Sequence, residues 1–276
     1  MTRAEGKMKP WGVLAAVSLL ALSAAAQAGE VWKPADAENT LVIDTQKGRI
    51  FVELHPEIAP KAVERIKLLA RRGTYDGLQF WRVVPGFVVQ ADPGNVEGGK
   101  TELPNLKPEF TFRLTDAIKH KVFAHPQGLS EGLIGAMPYV SVAETATPKR
   151  ADGSLYAWGS YCPGVMGMGR DAERDSANAE IFFMTGPYPA IDRDYTPVGR
   201  IIAGYDALTT LPEGEPPAHP DTITRVQVLA DMKDAPKVEV QDTQSPFFAT
   251  VVERARKAKG ADFSICDVPV ASRIVP

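Results

Sequence analysis

Short apolar runs ending at glycine or proline punctuate this chain, and long helical periodicity is scarce. Leu41-Val-Ile-Asp44 and Arg49-Ile-Phe-Val-Glu-Leu54 flank Thr45-Gln-Lys-Gly48, which predicts a β-hairpin. Further strand-like runs follow at Ile181–Met184, Val198–Ala203 and Ile223–Ala230, and two shorter ones are broken at Pro85-Gly86. Two helices are predicted among them. In Pro60–Gly73, Val63, Ile66 and Ala70 share one face, Pro60 suits the first turn and Gly73 suits the position just past the end. Tyr205–Leu211 is a shorter helix. Many short strands with two helices predict a closed barrel rather than a parallel βαβ sheet.

Outside this region the pattern weakens. Residues 29–38 read as a mobile leader, and residues 110–163 as an insertion without clear period. Residues 232–276 read as a C-terminal extension with one helix over Pro246–Lys259, which leaves 39–231 as the barrel domain. At the N-terminus, Arg3, Lys7 and Lys9 precede the apolar run Trp11–Leu22 and the small-residue site Ala26-Gln-Ala28. That three-part pattern predicts a signal peptide over residues 1–28, and hence an exported protein, periplasmic or secreted, without a stable membrane anchor after cleavage. In an oxidising compartment Cys162 and Cys266 can form a disulfide, or remain two unrelated buried thiols; their spacing does not decide between these. A net charge of −3 without a basic tract argues against nucleic acid as a partner. His120, His125 and Glu109 match no standard zinc spacing, so no metal is expected.

One run poses a chemical question. Phe80-Trp-Arg-Val-Val-Pro-Gly-Phe-Val-Val-Gln90 is apolar almost throughout, yet holds a permanent cation, and an isolated buried charge is costly. The stretch resembles the signature strand pair of the cyclophilins, the peptidyl-prolyl cis/trans isomerases, whose usual form is close to F-H-R-V-x-P-G-F-x-x-Q-G-G-D. Glu53–Val63, Gly73-Thr-Tyr-Asp-Gly77, Gly164-Val-Met-Gly-Met-Gly169, Asp175-Ser-Ala-Asn178, Ile181-Phe-Phe183 and Val198–Asp206 are similar to further family motifs, in the family's order.

The resemblance implies an eight-stranded antiparallel barrel capped by two helices, with an active groove on its outer face and no cofactor. It implies a catalytic role for Arg82, positioned by Gln90. Phe87 and Phe183 fall on walls of the proline pocket and Ile191 on an aliphatic wall; Val88, Trp81 and Tyr195 fall on further substrate-contacting positions. The partner implied is a proline-containing unfolded or extended polypeptide. Departures from the pattern are Trp81 and Tyr195 for histidines, Val88 for methionine, Ala190 for the tryptophan of many eukaryotic members, and one glycine fewer before Asp92. The glutamine expected in the strand at 179–184 aligns with Ile181. A proline-binding or chaperone module with little turnover is the alternative that these departures favour.

Overall fold

A computed structural model describes residues 29–95 and 101–275; the signal-like segment 1–28 lies outside them. The first strand, β1 (Trp32–Pro34), precedes a hairpin of β2 (Thr40–Thr45) and β3 (Gly48–Leu54), paired from Thr40↔Glu53 to Thr45↔Gly48 around the expected turn. Helix α1 (Pro60–Arg71) starts on Pro60 and buries Ala62, Val63, Ile66, Leu69 and Ala70. Its N-terminal residue Ala59 offers no side-chain cap, and Glu109 from a distant loop takes that role. The Glu109 carboxylate accepts the N–H groups of Lys61 (3.1 Å) and Ala62 (2.8 Å), as the orphan donors and the dipole of a helix N-terminus favour.

Strands β4 (Arg82–Val84) and β5 (Val88–Ala91) follow as the pair broken at Pro85-Gly86. After an intervening sheet the chain returns with β11 (Val165–Met168), β12 (Ile181–Met184), β13 (Thr196–Ala203), helix α2 (Tyr205–Thr209) and β14 (Ile223–Val228). These form one antiparallel eight-stranded sheet in the order β14-β2-β3-β13-β11-β12-β5-β4. Backbone bonds join its two ends. Phe80 N–H reaches Asp221 O at 3.0 Å, Ile223 N–H reaches Leu78 O at 2.8 Å, and Val83 and Gly214 exchange bonds of 2.8 and 3.0 Å. The curled sheet is thereby drawn into a barrel, and its edges are not left as templates for further strands.

The segment read as an insertion without clear period is a second sheet. Strands β6 (Phe112–Leu114), β7 (His120–Ala124), β8 (Leu129–Ile134), β9 (Met137–Val142) and β10 (Leu155–Gly159) pair antiparallel in the order β6-β10-β9-β8-β7. The barrel holds the tip of its β8–β9 hairpin by a pair of side chains. Glu53 and Arg200 face each other across β3 and β13. Glu53 Oε2 accepts the Ala136 N–H at 2.7 Å, and Arg200 Nη1 donates to Ala136 O at 3.1 Å. Burial lowers the Arg200 pKa to about 10, and its Nε donates to Pro163 O.

The leader is also corrected. Trp32–Pro34 is an edge strand of a third sheet, β1-β15-β16, with β15 at Lys237–Gln241 and β16 at Ser272–Val275. Pairing the leader with the extension gives its backbone groups the partners an isolated strand would lack. Helix α3 (Phe248–Lys259) lies within the predicted span and buries Phe248 and Val252. Cys162 and Cys266 form a disulfide, with Cα atoms 5.0 Å apart. One apolar core runs from the barrel (Leu41, Val52, Phe183) into the second sheet (Leu133, Tyr139) and the extension (Phe248, Ile265). No helix among the described residues is long and apolar enough to cross a membrane.

Candidate active site

The barrel strands alternate inward and outward, so pairing register decides which side chains share a face. Arg82 pairs with Gln90, and Gln90 with Phe182. Val83, Val89 and Phe183 form the adjacent cross-strand row, and Val89 and Phe183 are fully buried. That second row fills the barrel. The first row shares its face with Val84, Val88 and Met184 two pairs further along, and its half-exposed members Arg82 and Gln90 place that face on the outside of the barrel.

Arg82 is bonded on two sides. Its Nη1 donates to Gln90 Oε1 at 2.8 Å, and its Nε donates to Glu215 Oε2 at 2.6 Å. The guanidinium carbon lies 5.3 Å from the centre of the Phe87 ring, within cation–π range. Gln90 is itself oriented, since its Nε2 donates to Glu180 Oε1 at 2.7 Å. Burial, and then repulsion from Asp92, raise the Glu180 pKa to about 7, although the bond from Gln90 opposes the shift. Gly167 in β11 and Gly169 just past its end explain how this fits. A Cβ at Gly167 would collide with the Phe182 ring, and one at Gly169 with the Glu180 carboxylate. A cavity of about 510 Å³ adjoins the row through Glu180, lined also by Asp92, Arg170 and Asn178.

Aromatic walls complete the groove. Phe182 meets Tyr195 edge-on (5.7 Å, 89°) and Tyr161 at 5.6 Å, while Tyr188 lies 4.6 Å from Phe87. Arg170 covers Tyr195 at 4.5 Å. Ile191, half-buried at the end of the short 3-10 turn Pro189–Ile191, packs against the core. The next residue, Asp192, accepts the Tyr161 N–H at 2.9 Å, and burial raises its pKa to about 6.

The register changes two assignments. Phe183 is not a groove wall, because it points into the barrel; Phe182 stands on the side of Gln90 and Arg82. Ile181 is likewise interior, and the polar partner expected at that position is Glu180. Arg82 is in contact with both Gln90 and Phe87; Tyr195 reaches them only through Phe182, and Val88 shares the face of Gln90 two residues along β5. Trp81 is tied to the row through its backbone, whose N–H donates to Gln90 O at 3.1 Å; its buried Nε1 has no acceptor among the described residues. Glu180, Phe182, Tyr188 and Glu215 are additions. The pairing of β12 with Gln90 of β5 brings in the first two; nothing local in the sequence marks any of the four.

A fixed cation beside an apolar, aromatic hollow on the outside of a closed barrel defines a site for binding and charge stabilisation. Residues 40–228 match the family described as cyclophilin-type peptidyl-prolyl cis-trans isomerase/CLD, and the chain belongs to that family. It is similar to a probable peptidyl-prolyl cis-trans isomerase of Brucella suis, 28% identical over 237 residues that cover 80% of this chain and 96% of the relative. It is also similar to peptidyl-prolyl cis-trans isomerase-like 2 of Cryptococcus neoformans, 27% identical over 72% of this chain and 29% of that protein. Among solved structures, cyclophilin AquaCyp293 from Hirschia baltica superposes with a TM-score of 0.80 at 29% identity, covering 88% of this chain and 93% of that one.

Proposed function

We propose that this cyclophilin accelerates rotation about X-Pro bonds in extended or unfolded segments of exported proteins, using Arg82 as the fixed donor. The amide resists rotation because nitrogen shares its lone pair with the carbonyl, a barrier of about 18–20 kcal/mol. In the twisted amide the lone pair returns to nitrogen and can accept a hydrogen bond. A donor placed there favours the transition state over either planar ground state, with no bond broken and no proton transferred. An arginine cannot lose its charge, so the donor is always present. The observation that carries the reading is the row Arg82, Gln90 and Phe182 on the outer face, with Phe87 alongside to receive the proline ring. Export is supported by the signal-like segment and by the bonded cysteine pair, which suits an oxidising compartment.

An exchange measurement by NMR on an X-Pro peptide tests this. The wild type should accelerate exchange, and Arg82→Ala should lose about a hundredfold of that, the scale of one preorganised donor. Equal rates in both proteins, near that of the free peptide, would instead indicate a proline-binding module without turnover.

A further inference from the structure

Glu215 lies in the segment between α2 and β14, far in sequence from the signature strands. Its place is nevertheless fixed by backbone. Gly214 and Val83 exchange hydrogen bonds of 2.8 and 3.0 Å, so the residue after Gly214 faces the residue before Val83, which is Arg82. The Glu215 carboxylate meets Arg82 Nε at 2.6 Å while Gln90 holds Nη1 at 2.8 Å from the other side. An arginine side chain is long, flexible and costly to immobilise. Two acceptors on different nitrogens fix both the direction of the stem and the plane of the fork. Among the described residues the remaining Nη hydrogens have no acceptor, and the guanidinium stays over the Phe87 ring.

We propose that Glu215 is a positioning residue for the isomerase reaction, holding Arg82 Nε so that the free Nη hydrogens meet the amide nitrogen of the twisted X-Pro bond. The inference rests on the function proposed above. The pair has little to do with stability: the Glu215 side chain is 54% exposed, and an exposed ion pair contributes little to folding. Its effect therefore falls on the reaction. With Glu215 absent the fork samples other orientations, substrate still enters the aromatic groove, and the fraction of bound complexes with a donor in place falls.

The experiment compares wild type, Glu215→Ala and Glu215→Gln on one X-Pro peptide, resolving kcat from KM by NMR exchange and recording a thermal melt for each. Glu215→Ala should lower kcat about tenfold, as expected when a reacting group is slightly misplaced, with KM changed less than about twofold and the melt unmoved. Glu215→Gln keeps an acceptor for Nε and should recover most of kcat. Added salt should lower kcat in wild type and leave Glu215→Ala unaffected, because only wild type has an ion pair to screen. An active wild type with Glu215→Ala equal to it in kcat would overturn the inference and spare the isomerase reading. So would a loss of kcat that follows a lowered melting temperature. A wild type no faster than free exchange would remove both.

Discussion

Phe182 and Phe183 are adjacent, chemically identical and almost equally buried, yet parity gives them different work. Phe182 forms a wall of the groove with Tyr195 and Tyr161, and Phe183 fills the barrel opposite Val89. Phe182→Ala should therefore lower kcat/KM by about tenfold or more, the scale of removing one apolar wall from a pocket. Phe183→Ala should cost about 3–5 kcal/mol of stability through the cavity it leaves, with kcat/KM per folded molecule nearly preserved. Peptide exchange rates set beside denaturant unfolding would check both; the reverse pattern would put Phe183 in the groove. The same pair shows how far a sequence carries at this scale. Arg82, Gln90 and Phe87 are legible because they lie within one compact motif, whose chemistry demands an explanation for a cation among apolar neighbours. A phenylalanine doublet holds no mark of which member faces out, because parity is set by pairing with β5. Glu215 is illegible for a different reason. An acidic residue in a proline-rich loop reads as a solvated charge until the barrel closes and brings it to Arg82.

The hairpin, helix α1 and the strand pair around Pro85-Gly86 were readable because each has a local device: a turn, a starting proline, or a period. The second sheet has none of these in clean form. Its β8 mixes Ser130, Glu131 and Gly132 with Leu133 and Ile134, and its β9 contains Pro138, so alternation is obscured although the backbone pairs fully. Its attachment adds a pH dependence. His55, 3% exposed at the end of β3, has Nδ1 2.9 Å from Glu57 Oε1; its Nε2 lies 3.3 Å from Glu53 Oε2, an ion contact without hydrogen-bond geometry. Burial opposes the imidazolium charge, but the two carboxylates outweigh it and raise the His55 pKa to about 9. Because the folded value lies above the ordinary one, this stabilisation is complete below about pH 6.5 and is lost as pH rises through about 9, at most about 3 kcal/mol. Glu53 and Glu57 are shifted downward, so their contribution is complete above the ordinary carboxylate range and lost on acidification. Denaturant unfolding of wild type should weaken from about pH 6 to about pH 9.5, and a His55→Gln variant should lack the part of that decline above about pH 7.5, where Glu180 and Asp192 are already ionised. A wild-type midpoint flat across the interval would contradict the placement of the charge.

At the scale of the molecule, barrel, second sheet and extension share one core, and the disulfide ties them where the second sheet returns to the barrel. Cys162 stands three residues before β11, and Cys266 lies in the short turn Ile265–Asp267 of the extension, 104 residues further along. Sequence showed two cysteines and no means of pairing them, because connection depends on where the extension docks. Phe248 of α3 against Phe123 of β7 at 5.7 Å, and Arg256 Nη2 donating to Phe123 O at 2.8 Å, bring that docking about. The cross-link closes a long loop, so it restricts the unfolded chain more than it strengthens the folded one, and the chain-entropy estimate for such a loop is about 4–5 kcal/mol. Replacing both cysteines by alanine should lower the melting temperature by about 10–15 °C for a chain of this size. A thiol reductant should bring wild type down to the same value while leaving the variant unmoved. Tyr161 adjoins Cys162 and contacts Phe182, so the reduced protein also tests whether the extension steadies the groove. Because β11 and β12 are already fixed by the barrel ladder, kcat/KM measured well below the lowered melting point should fall less than about threefold, about 0.6 kcal/mol. A melting temperature indifferent to reductant would mean that the two sulfurs are not bonded in solution, and that the extension is held by α3 and the third sheet alone.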